Sequence, residues 1–309
     1  MPKSDLDRYI RSATFEPERH FIPSSLPTIQ TLIDNKQGFQ SGRFLELVGD
    51  YSTGKTTLAL DLLANAQRLG HKCAYADVER TFDRRYADVL GVDTSALDMI
   101  YADTAENNLA VVETLARRGY GLIVIDSIPA LVPSLVVEDD PTEGSVKDID
   151  YTKPKKMAAL GTLLTDWVRR MVPIIDYHNT LVICINQYRA NFSTMSRQNK
   201  KPYGPWIYNH ALTWRLELAR IENEEDTATV QCKVSKNKLG KERGIGKYQI
   251  VYGAGLNVKE DILRNAVQAN IVTRKGAWYY HKDISAQGEQ KAFSAFDFTR
   301  MKEELYAVA

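Results

Sequence analysis

From about residue 30 the chain alternates short apolar runs with stretches of helical period. "RFLELV" reads as a strand and Lys55 to Leu69 as a helix. "KCAYADV" is the next strand, followed by a helix from Asp83 to Leu90. "LDMIYA" predicts a strand and Ala105 to Arg117 a helix. "GLIVID", a long helix from Met157 to Tyr177 and "TLVICIN" complete the series. Strands that are apolar throughout and separated by helices predict right-handed crossovers and a mostly parallel sheet with both faces covered. After about residue 212, "TWRLELARI", "TATVQCKVS" and "KYQIVYG" alternate apolar with polar positions, as antiparallel strands added at a sheet edge do. The pattern predicts a polar N-terminal arm over 1–30, an α/β core over 31–257 and a small mixed α/β region over 258–309.

Two stretches break the periodicity. Residues 133–156 carry "EDDPTEG" and "DIDYTKPKK", and residues 189–210 are polar, basic and aromatic. Irregular segments this long inside a compact α/β domain are usually functional or disordered.

Composition narrows the picture only a little. Of 309 residues, 44% are apolar and 26% charged, which suits a soluble globular protein. The net charge of +1 means that any nucleic-acid role must come from locally clustered bases. Cys73, Cys184 and Cys232 lie far apart in apolar segments, so they read as reduced core residues of a cytoplasmic protein. No apolar run reaches 18 residues and the start "MPKSDLDRYIRS" lacks a signal region, which removes membrane and secretion readings.

The chemistry begins at "GDYSTGKTT", Gly49 to Thr57, which matches G-x-x-x-x-G-K-[ST] between a predicted strand and a predicted helix. Glycines Gly49 and Gly54 let the backbone of Ser52 and Thr53 curl so that N–H groups face phosphates at a helix N-terminus. Lys55 would reach the terminal phosphates, and the Thr56 hydroxyl would ligate Mg²⁺. "LIVIDS" ends an apolar strand in Asp126, the expected carboxylate behind that ion, although an acid closing a strand is also a common helix cap. Glu79 closes "KCAYADVE", where a carboxylate can activate water and where a plain surface acid is equally ordinary. Gln187 follows "ICIN" and reads either as a phosphate-sensing amide or as a loop amide.

In this order, "GDYSTGKTT", "YADVERTFDRRYADVLGVD", "LIVIDSIPAL", "LVICINQYR", "VSKNKLG" and "GAWYYHK" resemble segments of the RecA family of recombinases. The likeness spans roughly residues 20 to 300, and the altered loops are similar to divergent, phage-encoded members of the UvsX kind. It implies a RecA-like P-loop ATPase core that binds ATP and Mg²⁺. It also implies filaments of the chain with itself on single-stranded DNA, pairing with double-stranded DNA, and single-strand-binding and loader proteins as partners. Glu79 takes the place of the catalytic glutamate, Asp83 of the acid near the adenine amino group and Tyr86 of the ring on adenine. Gln187 matches the link from γ-phosphate to the DNA loops. Lys236 and Lys238, by themselves two solvated cations beside an Asn, match the pair that reaches a neighbouring subunit's nucleotide. Residues 133–156 fall at the first DNA loop, with Lys155, Lys156 and Met157 at its end and Arg169 and Arg170 on the following helix. Residues 189–210 fall at the second, whose Arg189, Arg197, Lys200 and Lys201 alternate with rings such as Phe192 and Tyr203. The family's Gly-Gly pair reads Gly204-Pro205, which stiffens the loop, and Ser196 stands where a ring is expected. A short N-terminal arm and no long acidic tail are further departures. Two other readings stay open: an accessory mediator without strand exchange, and a ring helicase motor.

Overall fold

The computed structural model describes residues 18–137, 154–190, 200–242 and 244–308. A short helix, α1 (Pro27–Leu32), precedes a nine-stranded sheet. In chain order its strands are β1 (Phe44–Gly49), β2 (Cys73–Asp77), β3 (Leu97–Ile100), β4 (Leu122–Asp126), β5 (Leu181–Asn186), β6 (Trp214–Asn223), β7 (Thr227–Asn237), β8 (Ile245–Val251) and β9 (Gly255–Leu256). They lie side by side as β9-β8-β7-β6-β1-β5-β4-β2-β3. The six strands from β6 to β3 run parallel, and β7, β8 and β9 extend the sheet by antiparallel pairing.

Strands β1, β2, β4 and β5 are buried at every position, because helices cover both faces. Leu45 and Leu47 of β1 face one layer with α2 (Lys55–Arg68), while Phe44 faces the other. There α4 (Ala105–Arg117) and α5 (Pro154–His178) pack, with Trp167 edge-on to Phe44. The period-2 alternation of side chains along a strand divides the apolar run between two cores. Cys73, Cys184 and Cys232 are all buried and free.

One expectation is corrected. "TWRLELARI" forms β6, which is not an edge strand. It pairs in parallel with β1 (Trp214↔Leu45 to Leu218↔Gly49) and antiparallel with β7. Alternating polarity reports that one face is less buried, but it says nothing of a neighbour's direction. The chain leaves β5, passes over β1 and re-enters the sheet on its far side.

Of the predicted arm, residues 1–17 lie outside the described residues. From Phe21 onward the segment belongs to the body: Phe21–Ile22 pairs with Phe39–Gln40, and Ile22, Leu26 and Ile29 are fully buried. The C-terminal region has its own core around Leu263, Tyr279 and Met301. It is built from α7 (Val258–Gln268), a three-stranded sheet, α8 (Glu289–Ala295) and α9 (Phe298–Val308). Asp261 of α7 joins it to α1 by accepting from Thr28 N (3.0 Å) and Thr28 Oγ1 (2.6 Å).

Candidate functional site

The loop between β1 and α2 sits at the C-terminal ends of the parallel strands, where open α/β sheets bind ligands. Gly54 caps α2 in the left-handed region (φ 81°), and Ser52 before it is also left-handed (φ 55°). No side chain caps α2, so the N–H groups of its first turn face the loop's concavity. A Cβ on Gly49 would stand 2.3 Å from Leu218 O, because β6 runs against this end of β1. Thr53 Oγ1 donates to Asp50 O (3.0 Å) and tightens the curl.

Lys55 is buried, and its amine donates to Gly49 O (3.1 Å) and Asp50 O (2.6 Å). Burial pushes this amine below the ordinary lysine value, while Asp126, Glu79 and Asp50 hold it up. Asp126, also buried, accepts from Tyr75 OH (2.6 Å) and Thr56 Oγ1 (3.0 Å) on one oxygen. Burial lifts its carboxyl above the usual range; the Tyr75 bond opposes this and Glu79 adds to it. A buried carboxylate that accepts from a hydroxyl places two oxygen ligands of the kind that a divalent cation takes side by side.

Glu79 is placed by the main chain: Val78 N and Glu79 N both donate to Asp126 O, at 2.8 and 3.2 Å. Its Oε1 accepts from Ser127 Oγ and from Gln187 Nε2 (3.3 Å). Thus β2, β4 and β5 bring an acid, a hydroxyl and an amide together beside Lys55. Ser127 and Tyr75 were not foreseen; only their positions beside strand-end acids mark them.

Tyr86 lies on α3 (Arg84–Val89), and Asp83 immediately precedes that helix. Asp83 caps it by accepting from Tyr86 N (3.1 Å), and Tyr86 OH lies 2.9 Å from Thr57 Oγ1, against the first turn of α2. The helix start thus holds the tyrosine next to the nucleotide loop.

Gln187 also opens the second irregular stretch. Tyr203 N donates to Gln187 O (3.2 Å), and Tyr188–Ala190 pairs with Lys200–Pro202 as a hairpin stem, Arg189 opposite Lys201. Lys201 is exposed, and Gly204 (φ 134°) lies against Tyr208. Phe192 and Arg197 lie outside the described residues. The first stretch is mostly outside them too, with Lys155, Lys156 and Met157 in the first turn of α5. Further along α5, Arg169 is exposed, whereas Arg170 pairs with Glu113 (3.4 Å), which also holds Arg117.

Lys236 and Lys238 lie elsewhere. Lys236 stands opposite Arg215, which stands opposite Glu46, so the pair flanks the N-terminal half of β1. At about 3.3 Å per residue and 4.8 Å per strand, Lys236 sits roughly 14 Å from Gly49. Its amine donates to Asn209 O (2.6 Å) and His210 O (3.4 Å), and Lys238 donates to His210 O. These carbonyls end α6 (Trp206–Ala211), whose partial negative charge suits cations. Burial and Lys238 lower the Lys236 amine to about 8.

The RecA N-terminal domain model matches residues 24–257. The chain belongs to the RecA family. "Protein RecA" of Salinispora tropica is 33% identical over 262 residues, 82% of this chain and 72% of that protein. The Rhodospirillum rubrum RecA is 33% identical over 262 residues (82% and 69%), and that of Streptomyces rimosus 32% over 277 residues (86% and 71%). As a member of this family the chain is a recombinase and a DNA-dependent ATPase, which binds nucleotide and DNA and assembles with itself into filaments. No helix among the described residues is long and apolar enough to cross a membrane.

Proposed function

We propose that this RecA-family protein uses ATP with Mg²⁺, forms its filament on single-stranded DNA, and catalyses homologous pairing and strand exchange with a duplex. The observation that carries this reading is the Gln187–Glu79 hydrogen bond, which joins the acid beside the phosphate loop to the base of the basic hairpin. Gly49, Ser52, Thr53, Gly54, Thr56 and Thr57 form the phosphate cradle, with Lys55 on the terminal phosphates and Tyr86, beside Asp83, on the base. Thr56 and Asp126 would hold the Mg²⁺, which neutralises charge on the phosphates. Glu79 takes a proton from water as the water oxygen bonds the γ-phosphorus and the bond from that phosphorus to the β–γ bridging oxygen breaks to release ADP, while Ser127 and Gln187 orient the carboxylate.

Lys236 and Lys238 cannot reach their own chain's loop, which supports a role at a neighbour's nucleotide. Arg189, Lys200, Lys201 and the residues around Tyr203 and Gly204 would hold DNA at the second loop, with Phe192 and Arg197. Lys155, Lys156, Met157 and Arg169 would hold it at the first. Arg170 is the weakest member of that set, since Glu113 already engages it. We place the protein in the cytoplasm of a bacterial or phage-infected cell, with the single-strand-binding and loader proteins that such a recombinase meets there.

The test is phosphate release with and without single-stranded DNA, beside electron microscopy of filaments and a strand-exchange assay. Glu79→Gln should lower hydrolysis about 10²- to 10⁴-fold yet leave filaments intact. Lys55→Ala should abolish nucleotide-dependent filaments. Normal filaments with Lys55→Ala, or normal turnover with Glu79→Gln, refute the assignments.

A further inference from the structure

Glu46 is the anomaly of the central strand. It interrupts the apolar run "RFLELV" and its side chain is completely buried. A buried carboxylate is costly unless paired, and a leucine would serve β1 as well. Its cation is Arg215 of β6, whose Nε donates to Glu46 Oε2 and whose side chain is only 15% exposed. Both residues lie on strands, outside the phosphate loop.

What the pair does touch is the base of the second loop, from both ends. On the entry side, Asn186 Nδ2 donates to Glu46 Oε1 (2.7 Å) and to Tyr203 O (2.6 Å). The same side chain accepts from Gln187 N (2.8 Å), fixing the main chain from which Gln187 reaches Glu79. On the exit side, Arg215 Nη2 donates to Asn209 Oδ1. Asn209 Nδ2 in turn donates to Gly204 O (3.2 Å) and Pro205 O (3.0 Å), and its carbonyl accepts from Lys236. The entry strand, the exit turn and α6 are therefore bonded to one buried ion pair. Hydrogen-bond networks of this kind rigidify what they join.

We propose that the Glu46–Arg215 pair is a positioning unit that couples DNA at the second loop to the Gln187–Glu79 contact. It holds the stem, Gln187 and α6 as one body, so that displacement of the loop moves the amide that orients Glu79. Arginine suits the place because its rigid planar fork fixes Glu46 at Nε and Asn209 at Nη2 in one geometry, which a flexible ammonium does not impose. The inference rests on the reading of residues 189–210 as a DNA loop.

The experiment measures phosphate release by the full chain against ATP and single-stranded DNA. Arg215→Lys and Asn209→Ala should keep basal release and the ATP KM within about twofold of the parent, while DNA-stimulated kcat falls at least about tenfold. Asn209 is only half-buried, so its variant folds even if changes at the ion pair do not. A Glu46→Gln/Arg215→Met double variant removes both charges and should regain the thermal stability that either single change loses, without recovering stimulation. Parental stimulation in Asn209→Ala, or stimulation that returns with stability in the double variant, overturns the proposal and leaves the pair purely structural. A Lys200→Ala/Lys201→Ala variant separates the two layers of inference. Unchanged DNA affinity there sinks the loop reading itself, whereas weakened affinity there with normal stimulation in Asn209→Ala sinks only the coupling.

Discussion

Gly49→Ala isolates what the phosphate loop demands of its first residue. The φ of Gly49 is not in the left-handed region, so the added methyl meets space rather than torsion. That space is occupied: the new Cβ would lie 2.3 Å from Leu218 O and 2.6 Å from Thr53 Oγ1. Leu218 O belongs to a strand held on both sides by β1 and β7, so it cannot swing away as a side-chain tip could. Relief requires a shift of about 1 Å in the loop, at the expense of the Thr53–Asp50 bond, and overpacking of this kind costs about 1–3 kcal/mol. At roughly 2–4 °C per kcal/mol for a domain of this size, the thermal midpoint should fall by several degrees. If about 1.4 kcal/mol of the strain is relieved by moving the loop off its phosphate-binding shape, Kd for the nucleotide rises about tenfold. Calorimetric titration with a slowly hydrolysed ATP analogue, alongside a thermal melt, measures both. A variant within about 1 °C of the parent in melting and about twofold in affinity refutes the steric reasoning.

Gly161→Ala is the counterpart: Gly161 lies inside α5 with nothing within 4 Å of the added Cβ, so a melt should show a gain of about 0.5–1 kcal/mol. Lys236 loses its proton near pH 8, so nucleotide-driven assembly, followed by light scattering, should weaken as pH rises through 8. Lys236→Arg should remove that alkaline limb, and an unchanged limb would show that another group titrates. His20, stacked on His71, is held down to about 4 by burial first and by His71 next. The folded chain keeps this ring neutral while the unfolded chain protonates it near 6.5, so stability should drop as pH falls from 6.5 towards 4. His20→Gln should flatten that part of the melting curve.

The parallel core was legible in the sequence because each strand buried on both faces is an unbroken apolar run, and Lys55, Thr56 and Asp126 follow from local spacing. The same locality explains what was not legible. Ser127 meets Glu79 across 48 positions, and Arg215 meets Glu46 across 169, a separation that no window of residues reveals. Alternating polarity in β6 predicted an antiparallel strand at the sheet edge and missed its parallel neighbour. Arg170 read as an available cation on a helix, and only the packing of α5 against α4 puts Glu113 beside it.

In the proposed assembly, the phosphate loop and the Lys236–Lys238 pair act at opposite ends of the strands, so successive copies join head to tail. Such a polymer has chemically distinct termini, one presenting a loop that no lysine completes and the other a lysine pair without a nucleotide. Each terminus therefore gains and loses copies under different control: nucleotide state governs one, and the arriving copy's nucleotide governs the other. A copy lacking both lysines would still offer its loop to a partner, so it would cap growth at one terminus while the other continued to lengthen.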